Sequence, residues 1–126
     1  MEADILAMLD QIAVALIAGD ARAVAAHWAM PALVLGNDGA IAVHNPVEIE
    51  RFFSQSIEVY RSKGTATTAP RDVRIEKLSD RLASVDVSWP SYDKDGLQIA
   101  SERSVYIVWI DGKGQAKIRA ALTRAA

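Results

Sequence analysis

Ile5, Leu9, Ile12 and Leu16 recur at spacings of four, three and four. That is the repeat of a helix with one apolar stripe, which Leu6, Ala13 and Ile17 widen. Gly19 suits the left-handed residue that ends such a helix. Asp20 then caps a second, shorter helix from Ala21 to about Ala29, with Val24 and Trp28 as its buried stripe. Pro31 stops it, because a residue preceding proline is pushed out of helical geometry. Ala32 to Leu35 and Ala40 to Val43 are short strands around the turn Gly36-Asn37-Asp38-Gly39. Asn45-Pro46-Val47-Glu48 is a strong helix start: Asn45 caps, Pro46 suits the first position, and Glu48 can reach back. The helix runs to about Lys63, with Ile49, Phe52, Phe53, Ser56, Ile57 and Tyr60 on one face and Gly64 closing it.

After a polar connection over Thr65 to Ala69 the period changes to two. Val73 and Ile75 alternate with Asp72, Arg74 and Glu76; Ser79-Asp80 turns the chain; Ala83, Val85, Val87 and Trp89 alternate with Ser84, Asp86 and Ser88. Pro90 points to a bulge or an edge. Asp95-Gly96 leads into the richest strand, Ile99 to Ile110, and Asp111-Gly112 with Gly114 turns it into a last strand ending near Leu122. Near its end the richest strand is apolar on both parities, so it is expected to be central and covered on both faces. The order α-α-β-β-α-β-β-β-β, with short turns between strands, implies an α+β domain over residues 1–126. A largely antiparallel, curved sheet carries the helices on its concave face, and a conical hollow lies between them.

Composition narrows the function without naming it. A net charge of −2 gives no electrostatic case for nucleic acid or an anionic membrane. Absence of cysteine excludes disulfides, thiolate metal sites and cysteine nucleophiles. The run from Ile5 to Ala18 is broken by Asp10 and Gln11, too short to span a bilayer, and follows no basic segment. A cytoplasmic location is the default expectation. Arg71, Arg74, Lys77 and Arg81 alternate with acids as a solvated face, and Asp93-Lys94-Asp95-Gly96 is a hairpin turn without the other ligands of a calcium loop. No phosphate-binding glycine loop or serine-nucleophile elbow is present.

Three stretches in this order resemble the NTF2-like superfamily, which includes SnoaL-like proteins and ketosteroid isomerases. They are Ala18-Gly19-Asp20 with a short helix ending in His27-Trp28, the Asn45-Pro46 helix with Phe52-Phe53, and the ending from Gly112 to Leu122. The resemblance implies a cystatin-like α+β cone but no single function, because its members include enzymes and non-catalytic modules. Matched to the steroid isomerases, the tyrosine position falls on Ile12, the base position on about Gly36 and the acid position on Tyr106. One donor without a base does not enolise a ketone, and no aspartate alternates inward to form a dehydratase-type His–Asp pair. The resemblance therefore implies neither a standard ketosteroid isomerase nor a scytalone-type dehydratase.

The same match orients the strands. It turns Ala100, Glu102, Ser104, Tyr106, Val108 and Ile110 into the hollow, with Ile118, Ala120 and Leu122 from the last strand. Ala83, Val85, Val87 and Trp89 join them, as do Trp28 and Tyr60 from the helices. The candidate ligand-binding set is Trp28, Tyr60, Trp89, Glu102, Ser104, Tyr106 and Ile118, suited to a small hydrophobic or aromatic molecule. A filled hydrophobic core has the same composition, so a non-catalytic module remains the alternative. Glu102 and Tyr106 are the candidate catalytic pair, base and donor; alternatively Glu102 sits in water at the sheet rim or pairs with a cross-strand cation. His27 and His44, 17 residues apart, do not form a ligand motif with Glu102, and His27 suits a helix C-terminus. No cofactor or metal is expected. Val105, Ile107, Trp109 and Arg119 on the outer face have no helix to cover them, and the resemblance implies a homodimer through that face.

Overall fold

The computed structural model describes residues 1–124, so the last two residues of the expected 1–126 domain lie outside the described residues. The chain forms α1 (Glu2–Ala18), α2 (Ala21–Ala25), β1 (Trp28–Gly36), β2 (Gly39–Val43), α3 (Pro46–Ser62), β3 (Thr67–Thr68), β4 (Arg71–Ser79), β5 (Leu82–Tyr92), β6 (Gln98–Ile110) and β7 (Ala116–Arg124). Only the two-residue β3 departs from the expected order; it occupies the polar connection before β4. The strands make one open, curved sheet in the order β2-β1-β7-β6-β5, with β3 and β4 sharing the far side of β5. Every pairing is antiparallel except β1 with β7, which joins the first long strand to the last.

Local signals explain the helices. Asp20 Oδ1 accepts the Ala23 N–H at 3.0 Å, and Asn45 Oδ1 accepts the Glu48 N–H at 3.2 Å. Glu48 does reach back, but to the Asn45 side-chain amide at 3.0 Å. In α1, Ile5, Leu9, Ile12 and Leu16 are buried as expected, whereas Leu6 and Ile17 are 40% exposed. Met8 and Ala15 widen the stripe on its other side.

The second helix is shorter than its sequence signals imply. It ends at Ala25, and Trp28 opens β1. Tertiary pairing overrides the local pattern here: His27 C=O accepts the Ile118 N–H at 2.8 Å, and Trp28 registers with Ile118 of β7. Pro31, lacking an N–H, falls in the register break between Trp28 and Leu33. His27 is therefore not the cation at the helix end. Lys117 Nζ donates to Ala26 C=O at 2.7 Å and takes that place. Burial first, and Lys117 second, hold the His27 imidazole below its usual range.

The β5–β6 ladder sets the two faces of the sheet. Val85 registers with Tyr106 and Val87 with Ser104 on the helix side, while Asp86 registers with Val105 and Ser84 with Ile107 on the other. Val85, Val87, Val108 and Ile118 are at most 1% exposed and form the floor under the helices. The outer row of β6, expected to be covered, is half-buried with no helix over it; Arg81 and Arg119 stack on Trp109 at 5.8 and 4.9 Å from the ring centre. Pro90 lies inside the β5–β6 ladder opposite Ser101, and its other side falls between the ends of β3 and β4. Thr68 Oγ1 donates to its carbonyl at 2.7 Å, which puts the polar edge of Pro90 on that side, where neither β3 nor β4 registers with it and no ladder N–H is missed.

Gly19 carries the tight junction between α1 and α2 at φ 75°. A Cβ there would meet only the far end of the exposed Arg61 side chain, which can move aside, so the cost of substitution lies in the positive φ. Gly19→Ala should destabilise the fold by about 1 kcal/mol or more, read as a lowered urea midpoint at unchanged m-value.

Candidate functional site

Between α1, α3 and the helix side of the sheet lies a hollow of about 280 Å³. Its volume stands at the small end of the roughly 300–1,000 Å³ typical of ligand pockets. Of the three Trp, three Tyr and two Phe, only Trp109 and Tyr92 lie outside its lining. The long strands supply Trp89, Glu102, Ser104 and Tyr106; α3 supplies Phe52, Phe53, Ser56 and Tyr60 from one face, as the period of 3.6 requires. Trp28 enters from the start of β1, its ring 6.1 Å from that of Phe53, and Phe52 sits edge-on to Phe53 at 5.2 Å.

Six of the seven residues expected to bind a ligand meet here: Trp28, Tyr60, Trp89, Glu102, Ser104 and Tyr106. Ile118 does not. It lies in the core opposite Val108, 1% exposed and outside the lining. A bulge between Ile107 and Val108 shifts the β7 register after Ile118. Ala120, opposite Ile107, thereby joins the outer row instead of the inner one. Ala121 and Thr123, opposite Tyr106 and Ser104, face the hollow in its place; Leu122, though registered with Val105, still borders it. Past Arg119 the adjacent Ala120 and Ala121 are alike, so the single inserted residue leaves no mark in the sequence there. Ile12, Leu16 and Val34 complete the apolar wall. The helical stripe gave a signal for the first two.

The polar groups fall into an order. Trp89 Nε1 donates to Tyr106 Oη at 3.0 Å, and both rings are buried. A phenol that accepts a bond is a stronger donor through its own hydrogen. Burial pushes the Tyr106 phenol up, hydrogen bonds from Ser104 and Trp89 pull against it, and the Glu102 charge adds to the rise. Tyr60 is pushed up to about 12, by burial first, then by Glu102 and Tyr106. Both phenols are therefore neutral donors near pH 7, and neither is a base. Glu102 lines the mouth of the hollow and is itself exposed. Trp28 Nε1 is buried and, among the described residues, has no hydrogen-bond partner. A buried donor left unpaired costs about 1–3 kcal/mol.

The remaining chemistry-bearing residues are dispersed. His27 sits at the α2–β1 turn and His44 is exposed beyond β2. Among the described residues, no three His, Cys, Asp or Glu side chains are grouped to hold a metal ion. Asp93 accepts the N–H groups of Asp95 and Leu97, so residues 93–96 form a turn around their own backbone. No helix of the described residues is long and apolar enough to cross a membrane.

A family model described as NTF2-like protein (DUF6841) matches residues 2–126. No curated protein matches the chain. Among solved structures, a domain of unknown function with a cystatin-like fold from Nostoc punctiforme is 21% identical, covers 99% of this chain and 76% of its own, and superposes with a TM-score of 0.78. An NTF2-like protein of unknown function from Shewanella oneidensis is 14% identical, covers 97% of both chains and gives 0.69. A candidate ketosteroid isomerase from Shewanella frigidimarina is 14% identical, covers 93% of this chain and 91% of its own, and gives 0.67. At these identities the likeness is one of fold.

The phenols make a measurable signature. Tyr60 ionises near 12 when folded and near 10 when unfolded. The unfolded chain therefore loses its proton first, and stability should fall as pH rises from about 10 to about 12. Tyr60→Phe should flatten that slope in urea titrations across the alkaline range, leaving the contribution of Tyr106.

Proposed function

Because the chain belongs to the NTF2-like DUF6841 family, whose fold frames a hollow, we propose that it binds a small hydrophobic or aromatic molecule there. The observation that carries this reading is the lining itself: aromatic walls with a few inward polar groups. A ring carrying one oxygen would fit the walls and give Tyr60 or Tyr106 an acceptor. A molecule with an acidic C–H beside a carbonyl would meet Glu102 as base and Tyr106 as oxygen donor, the one proton-transfer pair in the lining. Small side chains keep the space open: Ser56 and Ala121 face it from the helix and the sheet.

The reading is tested by thermal melting against single-ring phenols, aryl ketones and indoles. At about a hundred times its dissociation constant, a ligand adds about 2.7 kcal/mol and raises the melting temperature accordingly. Ser56→Phe should fill the hollow and abolish the shift without lowering the melting temperature of the free protein. A panel that shifts nothing, or shifts the variant equally, would favour a filled, non-catalytic module.

We also propose a homodimer through the outer face. Val105, Ile107 and Trp109 of β6 form a half-buried row flanked by Ala120 and the exposed Leu33, with Arg119 stacked on Trp109. No helix packs there, and a second copy would bury this row. Light scattering should give twice the 13.6 kDa chain mass. Ile107→Glu, charged at the centre of the row, should give the single mass with the helical circular-dichroism signal retained.

A further inference from the structure

The lining of the hollow carries one formal charge, the Glu102 carboxylate, and no lysine, arginine or histidine. Resting on the reading of the hollow as a binding site, we propose that its preferred ligand is a small aromatic amine in its protonated form, ring against the aromatic walls and ammonium at Glu102.

The cations near Glu102 on β6 and β7 are engaged on the other face. Arg103 Nε lies 2.8 Å from Asp86 Oδ1, and its Nη1 donates to Ser88 Oγ at 2.7 Å. Arg124 pairs with Asp86 as well. Among the described residues Glu102 takes part in no ion pair. Its charge is nevertheless felt inside, since it pushes up the pKa of both Tyr60 and Tyr106 and so disfavours their ionisation. A potential that penalises a phenolate favours an ammonium at the same place and penalises a carboxylate.

The walls act in the same direction. Aromatic faces attract a cation through their quadrupoles, most strongly where water is thinned out. Tyr60, Trp89 and Tyr106 line the hollow together with Glu102, and Trp89 registers directly opposite Glu102 on the neighbouring strand. An anion would find the phenol donors but no compensating charge. An amine on a short apolar stem finds a carboxylate at the mouth, π faces behind it, and donors for an oxygen at its far end.

Three molecules of nearly one shape separate charge from fit: tyramine, the neutral alcohol tyrosol, and 4-hydroxyphenylacetate. Calorimetric titration of the wild-type chain should show tyramine binding about tenfold tighter than tyrosol, with 4-hydroxyphenylacetate weakest. Glu102→Gln, at an exposed position, should erase the preference for tyramine and leave tyrosol unchanged. Added salt should weaken tyramine alone. Tyrosol binding as tightly as tyramine, or a tyramine preference that survives Glu102→Gln, would overturn the charge selection while leaving the hollow a binding site. Binding of none of the three would also overturn it; the phenol, ketone and indole panel decides the binding reading separately.

Discussion

The pairing of β5 with β6, continuous from Leu82 opposite Trp109 to Ser91 opposite Ala100, is the constraint on which the rest of the molecule depends. Side chains alternate faces along a strand, so this one register decides which residues meet the helices and which meet solvent. A slip of β5 by one residue would turn Ser84 and Asp86 toward the helices and expel Val85 and Val87; the same slip of β6 would turn in Arg103 and expel Tyr106. The cost of burying those polar groups holds the register as firmly as the gain from burying the apolar ones. β6 also carries a gradient along its inner row. Val108 is 1% exposed and Tyr106 9%, Ser104 is half-buried, and Glu102 is exposed. One strand therefore supplies an apolar floor, a donor part-way up and a charge at the mouth.

The hollow exists because large and small side chains are distributed unequally around it. Below it, branched aliphatics pack solidly: Val85, Val87, Val108 and Ile118. Around it, rigid rings alternate with Ser56, Ser104 and Ala121, which are too small to close the gap. The rings brace one another: Trp28 and Phe52 pack on Phe53, and Trp89 is hydrogen-bonded to Tyr106. An aromatic side chain has few rotatable bonds, so such walls lose little entropy when they are held apart. A core of leucine and methionine of equal volume would collapse into the space more readily.

Much of this was legible in the sequence because it rests on local chemistry. The caps Asp20 and Asn45, the closing Gly19 and the period-two run from Ala83 to Trp89 each act within a few residues. So does the parity of Glu102, Ser104 and Tyr106 once the resemblance has oriented it. The parts that were not legible are those where distant strands decide. Trp28 carries a helical spacing from Val24, yet a hydrogen bond from Ile118 to His27 draws it into β1. Ala120 and Ala121 are each tolerable on either face, so nothing in their chemistry locates the bulge. Leu6 and Ile17 fit the helical stripe, but the layer below α1 is narrower than the stripe, and they remain exposed. Glu102 was readable as a rim residue or an inward one; it is both, because β6 extends beyond the helices that cover its other end.

Charge is sorted between the two faces of the sheet, and this sorting follows from the same alternation. Arg103 and Glu102 are neighbours in sequence, so they must point to opposite faces. On the outer face Asp86 gathers Arg103 and Arg124, with side chains of Asp86 and Arg103 about one-fifth exposed. A half-buried carboxylate between two guanidiniums holds both side chains flat against the sheet. Were Asp86 neutral, both arginines would lose the charge that holds them on the outer face. The outer ion pairs thus do more than hold β5, β6 and β7 together. They occupy the two arginines on the outer face and leave the carboxylate at the mouth of the hollow without an ion pair among the described residues.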